Sequence, residues 1–213
     1  MFLKSLIACT TLHEVATWAS SGRVKYAANL RTCIAFQLYF LWRAGSLLYA
    51  SLYGPWDEWP TQRLQSETKD NLNALAGYFV YDLCFLIQTQ PFSGFVLHHL
   101  LGLGMIRYLQ NIGLPPTHLL TLYNTLSFVS EVTNPTLNFR HFVKGTRWEP
   151  LVRQLNFWLY TGFRVILLPM LSFQLHGALR SLPLLFLFLT VYGMSLMWYR
   201  RLIRMTWSPR LLE

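Results

Sequence analysis

The chain has 213 residues, 53% of them apolar and 16% aromatic, and only 13% are charged, against about 25% in a typical soluble domain. So little polar surface excludes an ordinary water-soluble enzyme or binding module of this length. The balance of 18 Lys+Arg against 9 Asp+Glu would suit a nucleic-acid partner, but the cations gather at the ends of apolar runs, which argues against one.

A membrane-crossing helix needs roughly 20 mostly apolar residues. Residues 2–19 form a first, weaker candidate, interrupted by Lys4, His13 and Glu14. No small-residue cleavage site follows it, so it reads as an N-terminal helix, long enough to span the membrane, and not as a signal peptide. Six stronger segments follow at about 30–53, 72–89, 92–110, 115–137, 151–175 and 181–203. These runs are too long and too unbroken for strands. The expected fold is therefore all-α and polytopic, with about seven transmembrane helices in one domain and a basic tail over 206–213. Cys9, Cys33 and Cys84 lie in apolar segments without paired spacing and read as reduced, structural thiols.

Cation placement sets the orientation, because cytosolic loops are enriched in Lys and Arg. With seven helices, Arg23, Lys25 and Arg31, then Arg140, Lys144, Arg147 and Arg153, then Arg200, Arg201, Arg204 and Arg210 all fall on one side. The other side receives Lys4, Arg63, Lys69, Arg107 and Arg180, together with a loop over 54–70 carrying Asp57, Glu58, Glu67 and Asp70. Eleven against five predicts a cytosolic loop over 138–153 and a cytosolic C-terminus. The basic loops read as topology signals near anionic lipid.

Ionisable residues inside the apolar runs are the candidate functional groups. Asp82 lies nine residues before Pro91, and His98 and His99 lie seven and eight after it. With Pro91 capping the start of the fourth helix, all three sit roughly 11–13 Å from the hairpin end at about 1.5 Å per residue. His99 and Glu131 are each 16 residues from Pro115, so Asp82, His98, His99 and Glu131 are expected in one layer. Adjacent helical positions diverge by about 100°, so His98 and His99 face different directions. Tyr78 shares a face with Asp82 one turn away. Arg43 and Arg164 could pair with Glu131 or Asp82, or meet an anionic ligand. Such a network can also simply hold helices together, and for the two arginines pairing or snorkelling is the favoured reading. His13 and Glu14 read as helix packing, and His118, His141 and His176 as ordinary groups near membrane ends. Pro135 should break the fifth helix within "VTNPTL". No metal site is expected: six histidines with one adjacent pair are too few for a membrane di-iron site, and Phe95 stands where an HxxHH box needs its first histidine.

Three stretches, "GYFVYDLCFLI" (77–87), "FVLHHLLGLG" (95–104) and "SEVTNPTLNFRHF" (130–142), follow one another as in the TLC domain, the TRAM/Lag/CLN-type domain of ceramide synthases and their non-synthase relatives. The sequence resembles that family over roughly 20–205. The resemblance implies six core helices in a barrel around a central cavity, usually in the endoplasmic reticulum, with a role in lipid metabolism or homeostasis. It departs from the synthases where they carry a D-x-x-D pair, since Glu131, Asn134 and Asn138 stand there. An early Ser-x-x-His-Ala pattern is also not evident. The chain is thus similar to the TLC domain-containing proteins more than to the synthases proper.

The first functional expectation is a lipid or acyl chain bound in an intramembrane cavity without catalysis. The alternative is an acyl-CoA-dependent N- or O-acyltransferase in which His98 or His99 acts as base or nucleophile and Asp82 orients it. A third is an escort for lipid or cargo in the endoplasmic reticulum. The cavity residues so implied are Tyr78, Tyr81, Glu131, Asn134, Asn138, Arg140, Arg43 and Arg164. No cofactor is expected to be bound; acyl-CoA would be a substrate. The expected partner is a membrane lipid or acyl chain, with no nucleic acid, no protein partner named, and room for a homodimer.

Overall fold

The computed structural model describes residues 1–19, 25–53, 61–111 and 117–207. Its elements are α1 (Phe2–Ala19), α2 (Lys25–Tyr53), α3 (Thr61–Thr89), α4 (Gly94–Asn111), α5 (Thr117–Glu131), α6 (Asn134–Val143), α7 (Glu149–Leu159), a π-helical stretch (Tyr160–Leu167), α8 (Leu168–Leu179) and α9 (Leu182–Trp207). No strand occurs among the described residues. α7, the π-helical stretch and α8 run on continuously, and α5 and α6 are one helix interrupted at residues 132–133. The described residues thus form seven helical segments, one for each apolar run. Arg23, Asp57, Glu58, Pro115 and Arg210 lie outside the described residues.

Three boundaries differ from the sequence reading. α3 begins at Thr61, well before the apolar run at 72, so Arg63, Glu67, Lys69 and Asp70 stand on a helix and not in a loop. The segment 61–71 is polar but holds no helix breaker, and propensity carries the helix through it. Pro91 lies within the turn 90–93 and does not cap α4, which starts at Gly94. The loop predicted over 138–153 shrinks to the turn 144–148. The break at Pro135 falls where expected: α5 stops at Glu131 and Pro135 occupies the first turn of α6.

Two compact units divide the chain, residues 1–128 and 129–213. In the first, α3 is the central element. α1 runs parallel to it, as Ser5 Oγ donating to Ala74 O at 2.9 Å and the His13 Nδ1–Tyr81 Oη contact at 2.7 Å show. Gly77 makes that approach feasible, because a Cβ there would stand 2.5 Å from Phe2 O. α2 and α4 run antiparallel to α3, the order that three successive chain reversals impose. Phe36 stacks on Tyr78 at 4.5 Å within a core that also holds Phe40, Leu75 and Phe79.

In the second unit α7, the π-helical stretch and α8 form an antiparallel hairpin with α9. Tyr160 Oη donates to Ser195 O at 3.1 Å, and Arg153 Nη1 donates to Met205 O at 3.2 Å. The helix Glu149–Leu179 (31 residues, mean hydropathy 1.3) and α9 (26 residues, mean hydropathy 1.6) are long and apolar enough to cross a membrane. Only 22% and 17% of their most apolar stretches are buried within the protein. A soluble core helix would be mostly buried, so their exposed Phe173, Phe186 and Met197 call for lipid around them.

Candidate functional site

In the first unit, α2, α3 and α4 bring a carboxylate and an imidazole together in the interior. Asp82 on α3 and His99 on α4 are 8% and 6% exposed, and His99 Nε2 lies 3.0 Å from Asp82 Oδ2. The other carboxylate oxygen accepts from Asn29 Nδ2 at 3.1 Å and from Cys33 Sγ at 3.4 Å, both on α2. Four lone-pair sites thus meet three donors, which is how an acidic group tolerates burial.

The second ring nitrogen of His99 is engaged as well. Its Nδ1 lies 2.8 Å from Phe95 O, one turn back on α4. A backbone carbonyl can only accept, so Nδ1 carries a proton. A carboxylate on the far side also accepts. One further proton therefore sits between Nε2 and Oδ2, and the pair is neutral as a whole, as imidazolium with carboxylate or as imidazole with carboxylic acid. Neutrality overall is what a low-dielectric interior favours.

His98 is half-buried beside it. The two rings meet edge to face, with centroids 5.6 Å apart and planes at 89°. Phe79 wedges against both, 4.9 Å from His99 and 6.3 Å from His98. Gly102 gives that ring its place, since a Cβ at 102 would meet Phe79 Cε2 at 2.5 Å.

The other expected site residues are dispersed. Tyr78 is buried one turn below Asp82, where its hydroxyl accepts from Gln37 Nε2 at 3.0 Å. Tyr81 points away to α1 and meets His13, as its offset of one residue from Asp82 requires. Arg43 takes Glu67 as its ion partner, Nη2 to Oε2 at 2.6 Å, and not Asp82. This follows from the early start of α3, which sets Glu67 alongside the far end of α2.

The second unit holds its own buried polar cluster around the break between α5 and α6. Pro135 removes the donor that would have bonded the carbonyl four residues earlier, and the last carbonyls of α5 need other partners. Arg164, 3% exposed and within the π-helical stretch, meets one of them, Ser130 O, and two side chains at the break. Its Nη2 donates to Ser130 O and, at 2.7 Å, to Asn134 Oδ1, and its Nε donates to Thr133 Oγ1 at 3.0 Å. Asn134 Nδ2 in turn donates to Glu131 Oε2 at 2.6 Å. Arg164 and Glu131 therefore communicate through Asn134 and not by a direct ion pair. A π-helical turn inserts an extra residue and re-aims the side chains around it, which is how Arg164 comes to serve the broken helix. Asn138 and Arg140 are half-buried on α6, with Arg140 Nη1 3.4 Å from Met205 Sδ. Burial and the charges of Arg140 and Lys144 hold the neighbouring His141 below its ordinary value.

Sequence reasoning missed Asn29, Cys33 and Gln37, yet a signal existed. They recur every four residues on α2 and make a polar stripe along an otherwise apolar helix face. No group of three or more His, Cys, Asp or Glu side chains among the described residues is placed to hold a metal ion.

The family model described as the TLC domain matches residues 29–207. That stretch begins at the first residue of the Asn29–Asp82–His99 cluster and ends with α9, leaving α1 outside. Neither a curated protein nor a solved structure matches the chain.

Proposed function

The chain belongs to the TLC-domain family of membrane proteins concerned with lipids, and from that premise we propose that it binds a lipid or acyl chain within the membrane without transforming it. The observation that carries this reading is the double engagement of His99. In a catalytic dyad one imidazole nitrogen meets the carboxylate and the other stays available to the reacting group. Here the second nitrogen is spent on Phe95 O, so His99 and Asp82 act as a neutral bracket fastening α4 to α3 and, through Asn29 and Cys33, to α2. The proposal includes seven membrane spans, six of them around a lipid-holding interior, residence in the endoplasmic reticulum, and a cytosolic turn 144–148 and C-terminus.

A second reading, acyl transfer from acyl-CoA, draws on His98. That imidazole is half-buried where His99 is buried, which suits a base that must reach an amine or hydroxyl. Purified full-length protein incubated with acyl-CoA and a broad set of amine and lysolipid acceptors separates the two. The proposal expects no product above that of a variant with His98 and His99 both changed to alanine. A product that disappears with His98→Ala alone would establish the transferase instead.

A further inference from the structure

A different set of buried polar groups lies in the first unit, near the N-terminal end of α3. Thr68, Asn71 and Asn124 are each 1% exposed. Thr68 Oγ1 donates to Asn124 Oδ1 at 3.3 Å, joining α3 to α5. This leaves Asn124 Nδ2, a donor, and Asn71 Oδ1, an acceptor, buried without hydrogen-bond partners. Thr68 and Asn71 are three residues apart and share a helix face, which sets Asn71 one turn from the Thr68–Asn124 contact. Buried polar groups are nearly always satisfied, and a donor and an acceptor orphaned in one cluster specify what would satisfy them. A hydroxyl does both at once, donating its proton to Asn71 Oδ1 and accepting from Asn124 Nδ2.

Charge narrows the class. All three side chains are neutral and buried, the half-buried Arg43 is already matched by Glu67, and Lys69, the next residue along α3, is exposed to the outside of the cluster. A phosphate or carboxylate would enter with no counter-charge, which a buried site disfavours. Position narrows it further. Thr68 and Asn71 stand where α3 passes from the polar stretch 61–71 to the apolar stretch 72–89, the level at which a lipid head group meets its chain. The site lies roughly 16 Å along α3 from Asp82 at about 1.5 Å per residue, clear of the histidine pair. We infer that Thr68, Asn71 and Asn124 form a head-group subsite for an uncharged, hydroxyl-bearing lipid such as a glyceride or other long-chain alcohol. The inference rests on the lipid-binding reading and adds the class of lipid to it.

The test uses full-length protein in detergent micelles, with binding followed by tryptophan fluorescence for three probes: 1-oleoylglycerol, methyl oleate, which lacks a hydroxyl, and oleoyl lysophosphatidic acid, which is anionic. The subsite predicts that 1-oleoylglycerol binds tightest and that the other two bind about tenfold more weakly, the equivalent of one neutral hydrogen bond. Asn71→Leu should bring 1-oleoylglycerol down to the level of methyl oleate. Thr68→Val with Asn124→Leu should do the same, and this pair removes both partners of one hydrogen bond and so keeps the fold if the single variant does not. Equal binding of 1-oleoylglycerol and methyl oleate to the wild type would mean that only water occupies the position, and would overturn the inference. So would tightest binding of the anionic probe, or variants that bind 1-oleoylglycerol as the wild type does; in each of these cases the broader lipid reading stands. Failure of all three probes to bind the wild type would overturn both.

Discussion

Changing His99 to leucine removes one half of the neutral bracket and leaves the other half buried. Asp82 would keep Asn29 Nδ2 at 3.1 Å and Cys33 Sγ at 3.4 Å but lose its shortest contact and the proton that neutralises it. Stripping one partner from a buried pair costs about 3–5 kcal/mol. At about 2–4 °C per kcal/mol for a chain of this length, thermal unfolding in detergent, read by tryptophan fluorescence, should fall by roughly 6–20 °C. Asp82→Asn should behave quite differently. The new amide oxygen still accepts from Asn29 and Cys33, its NH2 donates to His99 Nε2, and Nδ1–H stays on Phe95 O. Every hydrogen bond survives without a charge, so the shift should stay within about 4 °C, the equivalent of about 1 kcal/mol. If His99→Leu unfolds within about 2 °C of the wild type, or if Asp82→Asn is as damaging as His99→Leu, the bracket is not what holds α3 to α4.

Arg164→Met should release Ser130 O, Thr133 Oγ1 and Asn134 Oδ1 at the break between α5 and α6 and cost about 3 kcal/mol or more, since three charge-assisted hydrogen bonds are lost. Arg164→Lys should rescue little, because an ammonium cannot reproduce the planar fork; amide hydrogen exchange across 129–136 reads both. Gly102→Val should push Phe79 off the two histidines and destabilise the first unit by about 1–3 kcal/mol, which the same fluorescence assay measures against the milder Gly104→Val, where a Cβ meets nothing within 4 Å. Single cysteines at Lys144 and at Gln65 should label from opposite sides of the membrane with an impermeant thiol reagent. Labelling from one side would contradict the topology drawn from the cation asymmetry.

The apolar runs made the helices legible, because a lipid-facing helix needs length and apolarity and little else. The break at Pro135 was legible because proline acts on its own backbone. The start of α3 was not, because residues 61–71 are polar and helical, and hydropathy marks where a helix turns polar without marking where it ends. Hydropathy therefore sets Glu67 in a loop and hides it as the partner of Arg43. Spacing put Asp82 level with His98 and His99 even though Pro91 was misplaced as a helix cap, since the error shifted one arm of the hairpin by only part of a turn. Which histidine meets Asp82 was not legible, because it depends on the rotation of α4 about its axis, set by Gly102 and Phe79. The role of Arg164 was hidden for a similar reason: a π-helical turn changes the phase of the helix by one residue, and no residue in "YTGFRVIL" announces it.

The central claim is that the chain holds a lipid and leaves it chemically intact. Mass spectrometry of lipids retained by the full-length protein, extracted gently and compared with the surrounding membrane, tests it most directly. The account predicts one lipid class enriched over the bulk membrane, retained to the same extent by His98→Ala and unaltered in its acyl chains. A lipid complement identical to that of the membrane, or an acylated product that accumulates with the wild type and vanishes with His98→Ala, would contradict it.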